Sequence, residues 1–281
     1  MKNILLPTDF SENSWNAIDY AIRLFENEAC NFYVLHVNKV TDNFMDGAPF
    51  LADEELLLKI YTKPTKRKLR QVMKRIAVHY PDNKNHRFYT LSDYNFFIDA
   101  IRKQVEENRI DLIVMGTKGT SGLKEIIVGS NTGDVITKVK CNTLVVPEQA
   151  KFTPLKEIAF PTDFSMNYNL EILEPISDLV EEQKAALRIV HVSKKKIELN
   201  SEQKLNRELV DDYFSDVEHS FHYLTNKRIE DAIECFVQSR HVDLISMVAK
   251  NLNYFQQILF HSRVEEISYH TETPFLVLHE K

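Results

Sequence analysis

A ten-residue segment occurs twice in this chain: KNILLPTDFS at Lys2–Ser11 returns as KEIAFPTDFS at Lys156–Ser165, with seven of the ten positions identical. Three more segments recur in the same order. FYVLHV, ending at Val37, answers LRIVHV, ending at Val192; RIDLIVMG, ending at Gly116, answers HVDLISMV, ending at Val248; TLVVP from Thr143 answers PFLVLH from Pro274. Four anchors in one order constrain the chain severely, because any fold the first copy adopts must also suit the second. A repeat of roughly 140 to 150 residues is one ordinary domain. The boundary falls near Gln149–Pro154, which divides the chain into domains at 1–149 and 154–281.

The recurring apolar runs are short, rich in β-branched residues and nearly continuous, as strands buried on both faces of a parallel sheet should be. Helical spacing lies between them. Trp15, Ile18, Ala21, Ile22 and Phe25 form one stripe, and Phe97, Ile101 and Val105 form another. Strand and helix alternate through each copy, and right-handed crossovers then give two tandem doubly wound α/β domains, each a five-stranded, mostly parallel sheet flanked by helices. Ligands of such sheets sit beyond the carboxyl ends of the strands where the strand order reverses. In the first copy those positions are Pro7–Phe10, Val37–Lys39 and Gly116–Ser121. Residues 41–80 are less regular: DGAPF reads as a loop, and a helical pattern follows that Pro64 interrupts. The basic cluster Lys63–Arg75 reads as the solvated face of an amphipathic helix with Leu69, Val72, Met73 and Ile76 inward.

With 43% hydrophobic and 27% charged residues the composition is that of a folded, soluble protein, and a formal charge of -6 gives no electrostatic reason to expect nucleic acid. The segment before Pro7 is too short and too polar for a signal peptide or a membrane span, so a cytoplasmic location is expected. Cys30, Cys141 and Cys235 are widely spaced and form no CxxC, which suits buried free thiols in a reducing compartment. His219 and His222 form an HxxH in a predicted strand, where the two side chains point to opposite faces; no metal site is expected there.

The most specific local feature is GTKGTSGLKEIIVGSNTGD, Gly116–Asp134, which starts where the DLIVM strand ends. Glycines let a phosphate approach the main chain, and Ser130 suits the N-cap of the next helix, whose unpaired N–H groups favour an anion. The segment is neither a Walker A loop nor a GxGxxG fingerprint. A tight strand-to-helix connection would also use such glycines.

PTDFS after the first strand, HV at the end of the second, and Gly116, Gly119, Gly129 and Ser130 in this spacing resemble the universal stress protein family, over essentially the whole chain and in the form of its tandem members. The resemblance implies an adenine nucleotide α-hydrolase-like fold and ATP as ligand. It implies that Asp9 contacts the ribose, with Pro7 and Thr8 shaping the wall beside it; that Val37 neighbours the adenine; that Met115 and Gly116 line the nucleoside; and that Gly119, Gly129, Ser130 and Asn131 receive the phosphates. It also implies that the two domains pair with each other; TLVVP and PFLVLH are the natural segments for that contact, since unpaired strand edges seek partners, and core strands explain them equally well. A magnesium ion beside the ATP and a homodimer of tandems are compatible with it and not required by it. From the residues alone, Asp9 also suits a helix cap, Met115 suits strand core, and His36 and His191 suit hydrogen-bonded sheet histidines.

The second copy has lost the loop: Val248 stands opposite Gly116, Asn251 opposite Gly119 and His261 opposite Gly129. ATP is therefore expected in domain 1 only, domain 2 serving pairing or partner binding. The leading function is a nucleotide-binding regulatory protein of the stress response. The alternatives are a weak ATP hydrolase or phosphotransferase, for which no catalytic base is evident, and a nucleotide-free interaction scaffold.

Overall fold

The computed structural model describes residues 1–38, 54–81, 83–117, 130–165, 169–195, 198–249 and 272–280. The first half runs β1 (Lys2–Pro7), α1 (Glu12–Leu24), β2 (Cys30–Asn38), α2 (Glu54–His79), β3 (His86–Tyr94), α3 (Phe97–Glu107), β4 (Leu112–Gly116), α4 (Ser130–Lys138) and β5 (Asn142–Val146). The second runs β6 (Glu157–Pro161), a 3-10 turn (Leu170–Leu173), α5 (Glu174–Gln183), β7 (Ala186–Ser193), α6 (Ser201–Tyr213), β8 (His219–Thr225), α7 (Ile229–Arg240), β9 (Leu244–Val248) and β10 (Phe275–Leu278).

All ten strands join one sheet in the order β3-β2-β1-β4-β5-β10-β9-β6-β7-β8. Each half contributes five strands that pair in parallel, so each is a doubly wound α/β layer whose order reverses between its first and fourth strands. The halves meet antiparallel, β5 against β10, with Leu144 opposite Leu276. Strands on both sides of this seam are buried throughout, as their unbroken apolar runs require.

One apolar cluster runs across both halves under α1, α2, α5 and α6, including Ile18, Leu69, Leu144, Leu155, Phe164, Ile176 and Val210. The opposite face carries two clusters, one under α3 and α4 and one centred on α7. The connector between the halves is held by α1: Asn16 donates its amide to the carbonyls of Pro147 (3.1 Å) and Ala150 (2.9 Å), and the Phe152 ring meets Tyr20 edge-on. At the start of each first strand an aspartate from the DL segment accepts a backbone N–H, Asp111 from Asn3 and Asp243 from Glu157.

Two expectations change. Helix α2 continues through Pro64, although proline removes one ladder hydrogen bond, and it buries Leu69 and Ile76 while Val72 and Met73 pack partly buried against the same core. Of the three free cysteines, Cys30 and Cys141 are buried but Cys235 is exposed on α7. Burial pushes the Cys30 thiol up to about 12, so it stays protonated at neutral pH. No described helix is long and apolar enough to cross a membrane. His219 bonds Asp211 while His222 packs on Phe236, so the two rings face opposite sides of the sheet.

Candidate functional site

Both PTDFS segments fold into the same turn. Thr8 accepts the Phe10 N–H on its hydroxyl at 3.0 Å, Thr162 does the same for Phe164, and in both turns the phenylalanine takes a left-handed backbone, φ 67° at Phe10 and 57° at Phe164. A non-glycine residue in that region is strained, so the surrounding bonds must over-determine it. A histidine completes the device: His36 donates Nδ1–H to the Thr8 carbonyl (2.7 Å) with its ring 4.3 Å from Phe10, and His191 bonds the Thr162 carbonyl (3.0 Å) beside Phe164. Burial holds both imidazoles below the usual histidine range, so each works as a neutral donor.

The turn also defines what the first-strand aspartate does locally. Asp9 accepts the Ser11 backbone N–H (3.0 Å) and hydroxyl (2.5 Å) on Oδ1, and Ser11 is the residue that caps α1 by accepting the Ser14 N–H. Asp163 accepts the Ser165 N–H in the same way. The aspartate therefore holds the same turn in both halves, and in the first the capping of α1 falls to Ser11. Thr8 is buried, with its hydroxyl engaged by Ser14 and Phe10.

The carboxyl ends of β1, β2 and β4 lie side by side. Pro7 pairs with Leu35, and continuing the register of Ile4 with Leu112 brings Pro7 level with Met115. Met115 is buried and Val37 partly buried in one cluster with Leu5 and Leu35, so the residue expected beside the adenine and the one expected to line the nucleoside share one face. Gly116 has a definite reason to be glycine: a Cβ there would stand 2.7 Å from Asn13 Oδ1 and 2.9 Å from Asn13 Cγ. The first turn of α1 rests on that bare backbone. The Gly116 carbonyl in turn accepts from Thr132 Oγ1 at 2.8 Å, which ties α4 to the end of β4.

Helix α4 starts on Ser130, so Ser130 and Asn131 occupy its first two helical positions, and Ser130 stands inside the helix where the sequence suggested a cap. Both side chains are exposed, and their N–H groups are among the four that a helix leaves without an internal acceptor. Gly119 and Gly129 lie outside the described residues. Sequence reasoning missed Asn13 and Thr132, whose contacts reach across 103 and 16 positions.

The second half differs at two of the places where it is described. Val248, buried, replaces Gly116, and the next described elements after the PTDFS turn are the 3-10 turn at Leu170 and then α5. Side chains of α6 are bound to the turn itself: Gln203 donates to the Asp163 carbonyl (2.8 Å) and Asn206 to the Phe164 carbonyl (2.7 Å). Asn251 and His261 lie outside the described residues.

A doubly wound α/β tandem with an aspartate turn after its first strand and a helix start at the end of its fourth is the class these features define. Residues 1–147 match the model of the universal stress protein family, and the chain belongs to that family. A universal stress protein of Methanocaldococcus jannaschii is 29% identical over 150 residues, which cover 53% of this chain and 84% of the relative; a second from the same archaeon is 27% identical over 166 residues, covering 52% and 94%. Among solved structures, a universal stress protein from Archaeoglobus fulgidus matches with a TM-score of 0.70 at 19% identity, over 98% of this chain and 97% of that one. A structure described as a putative universal stress protein from Pseudomonas aeruginosa matches with a TM-score of 0.57 at 14% identity, over 99% and 93%. These two likenesses extend the shared fold over both halves.

Proposed function

We propose that the protein is a nucleotide-dependent regulator in the stress response, and that an adenine nucleotide, ATP, is held by the first half alone. The observation that carries this reading is the contrast between equivalent places in the two halves. In the first, the end of β4 is a glycine whose carbonyl is tied to Thr132 in the first turn of α4; in the second, the end of β9 is a buried valine and the neighbouring turn carbonyls are taken by Gln203 and Asn206. A helix start at a strand-order reversal suits a phosphate chain, because unpaired N–H groups and the helix dipole both favour negative charge.

In this reading Val37 neighbours the adenine, Asp9 meets the ribose beside the wall of Pro7 and Thr8, and Met115 and Gly116 line the nucleoside. Gly119, Gly129, Ser130 and Asn131 receive the phosphates. Nucleotide occupancy regulates only if it favours one state of the protein over another, since a ligand shifts an equilibrium by its differential affinity. Domain 2, over 154–281, then supplies the pairing surface through β10 and the contacts to partners.

The test is the mass of small molecules released by denaturing freshly purified protein, followed by calorimetric titration of ATP with and without magnesium. Expected is a single nucleotide per chain, abolished by Gly129→Val and retained in His261→Ala. Wild-type protein that takes up no nucleotide, or a Gly129→Val variant with unchanged affinity, overturns the assignment.

A further inference from the structure

Helices α2 and α6 hold equivalent places at the two ends of the sheet, each leading into an edge strand, and their outward faces are chemically opposite. On α2 the exposed residues Lys63, Lys66, Arg67, Arg70 and Lys74 fall on one stripe at helical spacing, which ends at Val78, 77% exposed. The ion pair that α2 makes among the described residues runs from Arg75 to Glu12, on the flank of that stripe. On α6 the exposed stripe is Glu202, Leu205, Glu208, Leu209 and Asp212, with the two leucines 57% and 42% exposed. Ion pairing on α6 among the described residues uses Asp211, again on the flank.

We propose that α6 docks on α2 of a second copy of this chain. Each stripe alone has a bland use as a solvated helix face, but leucines spaced i, i+4 at the centre of an acidic stripe are not what solvation needs. They are what the aliphatic stems of lysine and arginine cover when the charged heads reach carboxylates on either side. The two helices pack on one continuous apolar cluster, so both stripes look out from the same face of the sheet at its opposite ends. A single two-fold axis can therefore bring α2 of each copy onto α6 of the other and satisfy all four stripes in a closed dimer. The contact is independent of the nucleotide, because none of the stripe residues belongs to the proposed site.

Sedimentation velocity over a concentration series tests it, at about 0.05 M and about 1 M salt, where the screening length falls from more than 10 Å to about 3 Å. Wild-type protein should form a dimer whose association constant drops at least about tenfold in the high salt. The triple variant Lys66→Glu, Arg70→Glu, Lys74→Glu should be monomeric, and so should Glu202→Lys, Glu208→Lys, Asp212→Lys. Mixing the two variants should restore a salt-sensitive dimer, since each then offers the stripe the other lacks. Should either triple variant fail to keep the wild-type circular dichroism, Leu205→Ser with Leu209→Ser replaces it and should weaken the dimer without removing its salt dependence. A chain that is monomeric at both salt concentrations overturns the proposal, whether or not the basic stripe retains nucleic acid. So does a mixture of the reversed variants that stays monomeric.

Discussion

Gly116→Ala is a one-carbon change with a defined collision. The new Cβ would stand 2.7 Å from Asn13 Oδ1 and 2.9 Å from both Asn13 Cγ and Nδ2, closer than real Cβ contacts allow, and Asn13 is itself buried in the first turn of α1. Either the amide or the whole helix start must move. Overpacking of this kind costs about 1–3 kcal/mol. Urea unfolding followed by circular dichroism should therefore show a lower midpoint with an unchanged slope. Removing the obstacle should return part of that loss. In Gly116→Ala with Asn13→Ala the substitutions should be less costly together than the sum of the two apart, with a coupling of about 1–2 kcal/mol, because Asn13→Ala has its own cost but leaves room for the methyl. A Gly116→Ala variant as stable as wild type, or strictly additive effects, would show that Asn13 does not rest on Gly116 and would return the glycine to a purely ligand-facing role.

Three further outcomes follow from the same structure. Glu182 on α5 faces Glu28 and Lys2 of the first half, and burial, the hydrogen bond to Glu28 and the nearby charge of Asp178 outweigh Lys2 to push its carboxyl up to about 7. The folded protein thus binds more protons than the unfolded chain between about pH 4.5 and 7, so this stabilising contribution is full below that window and is lost as pH rises through it; Glu182→Gln should flatten the pH dependence of unfolding over this range. Asn16→Ala removes both donors that hold the connector and should cost about 1–3 kcal/mol, with faster proteolysis between Pro147 and Pro154 as the readout. Ser246, fully buried on β9, has a hydroxyl without a hydrogen-bond partner among the described residues, and its counterpart in the first half is Val114; Ser246→Ala should raise stability by about 1 kcal/mol in the same urea assay.

The strands and the doubly wound order were legible because buried parallel strands write themselves as unbroken apolar runs, and the repeat wrote them twice. The inward residues of α2 were equally plain from their spacing. What stayed hidden depends on partners far away in sequence. Nothing near Gly116 says that its missing side chain makes room for Asn13, and nothing in Gln203 or Asn206 distinguishes a solvated helix side chain from one bound to the turn at Asp163 and Phe164. The left-handed backbone at Phe10 and Phe164 was invisible for another reason: propensity argues against it, and only the combined hold of a threonine hydroxyl and a histidine makes it tolerable. The start of α4 was misjudged by one residue because serine favours a cap and also tolerates the first helical turn.

The antiparallel meeting of β5 and β10 within a single polypeptide alters the conditions under which the two halves can mutate. Two separate chains joined along such strands dissociate on dilution, and a lesion in their common gene strikes both at once. Here the short connector keeps the strands at a local concentration in the millimolar range or above however dilute the protein becomes. Assembly of the halves is then a first-order event. Each half is also encoded separately, so the second could exchange a strand-end glycine for valine, with the first keeping its own, and still arrive in the same molecule.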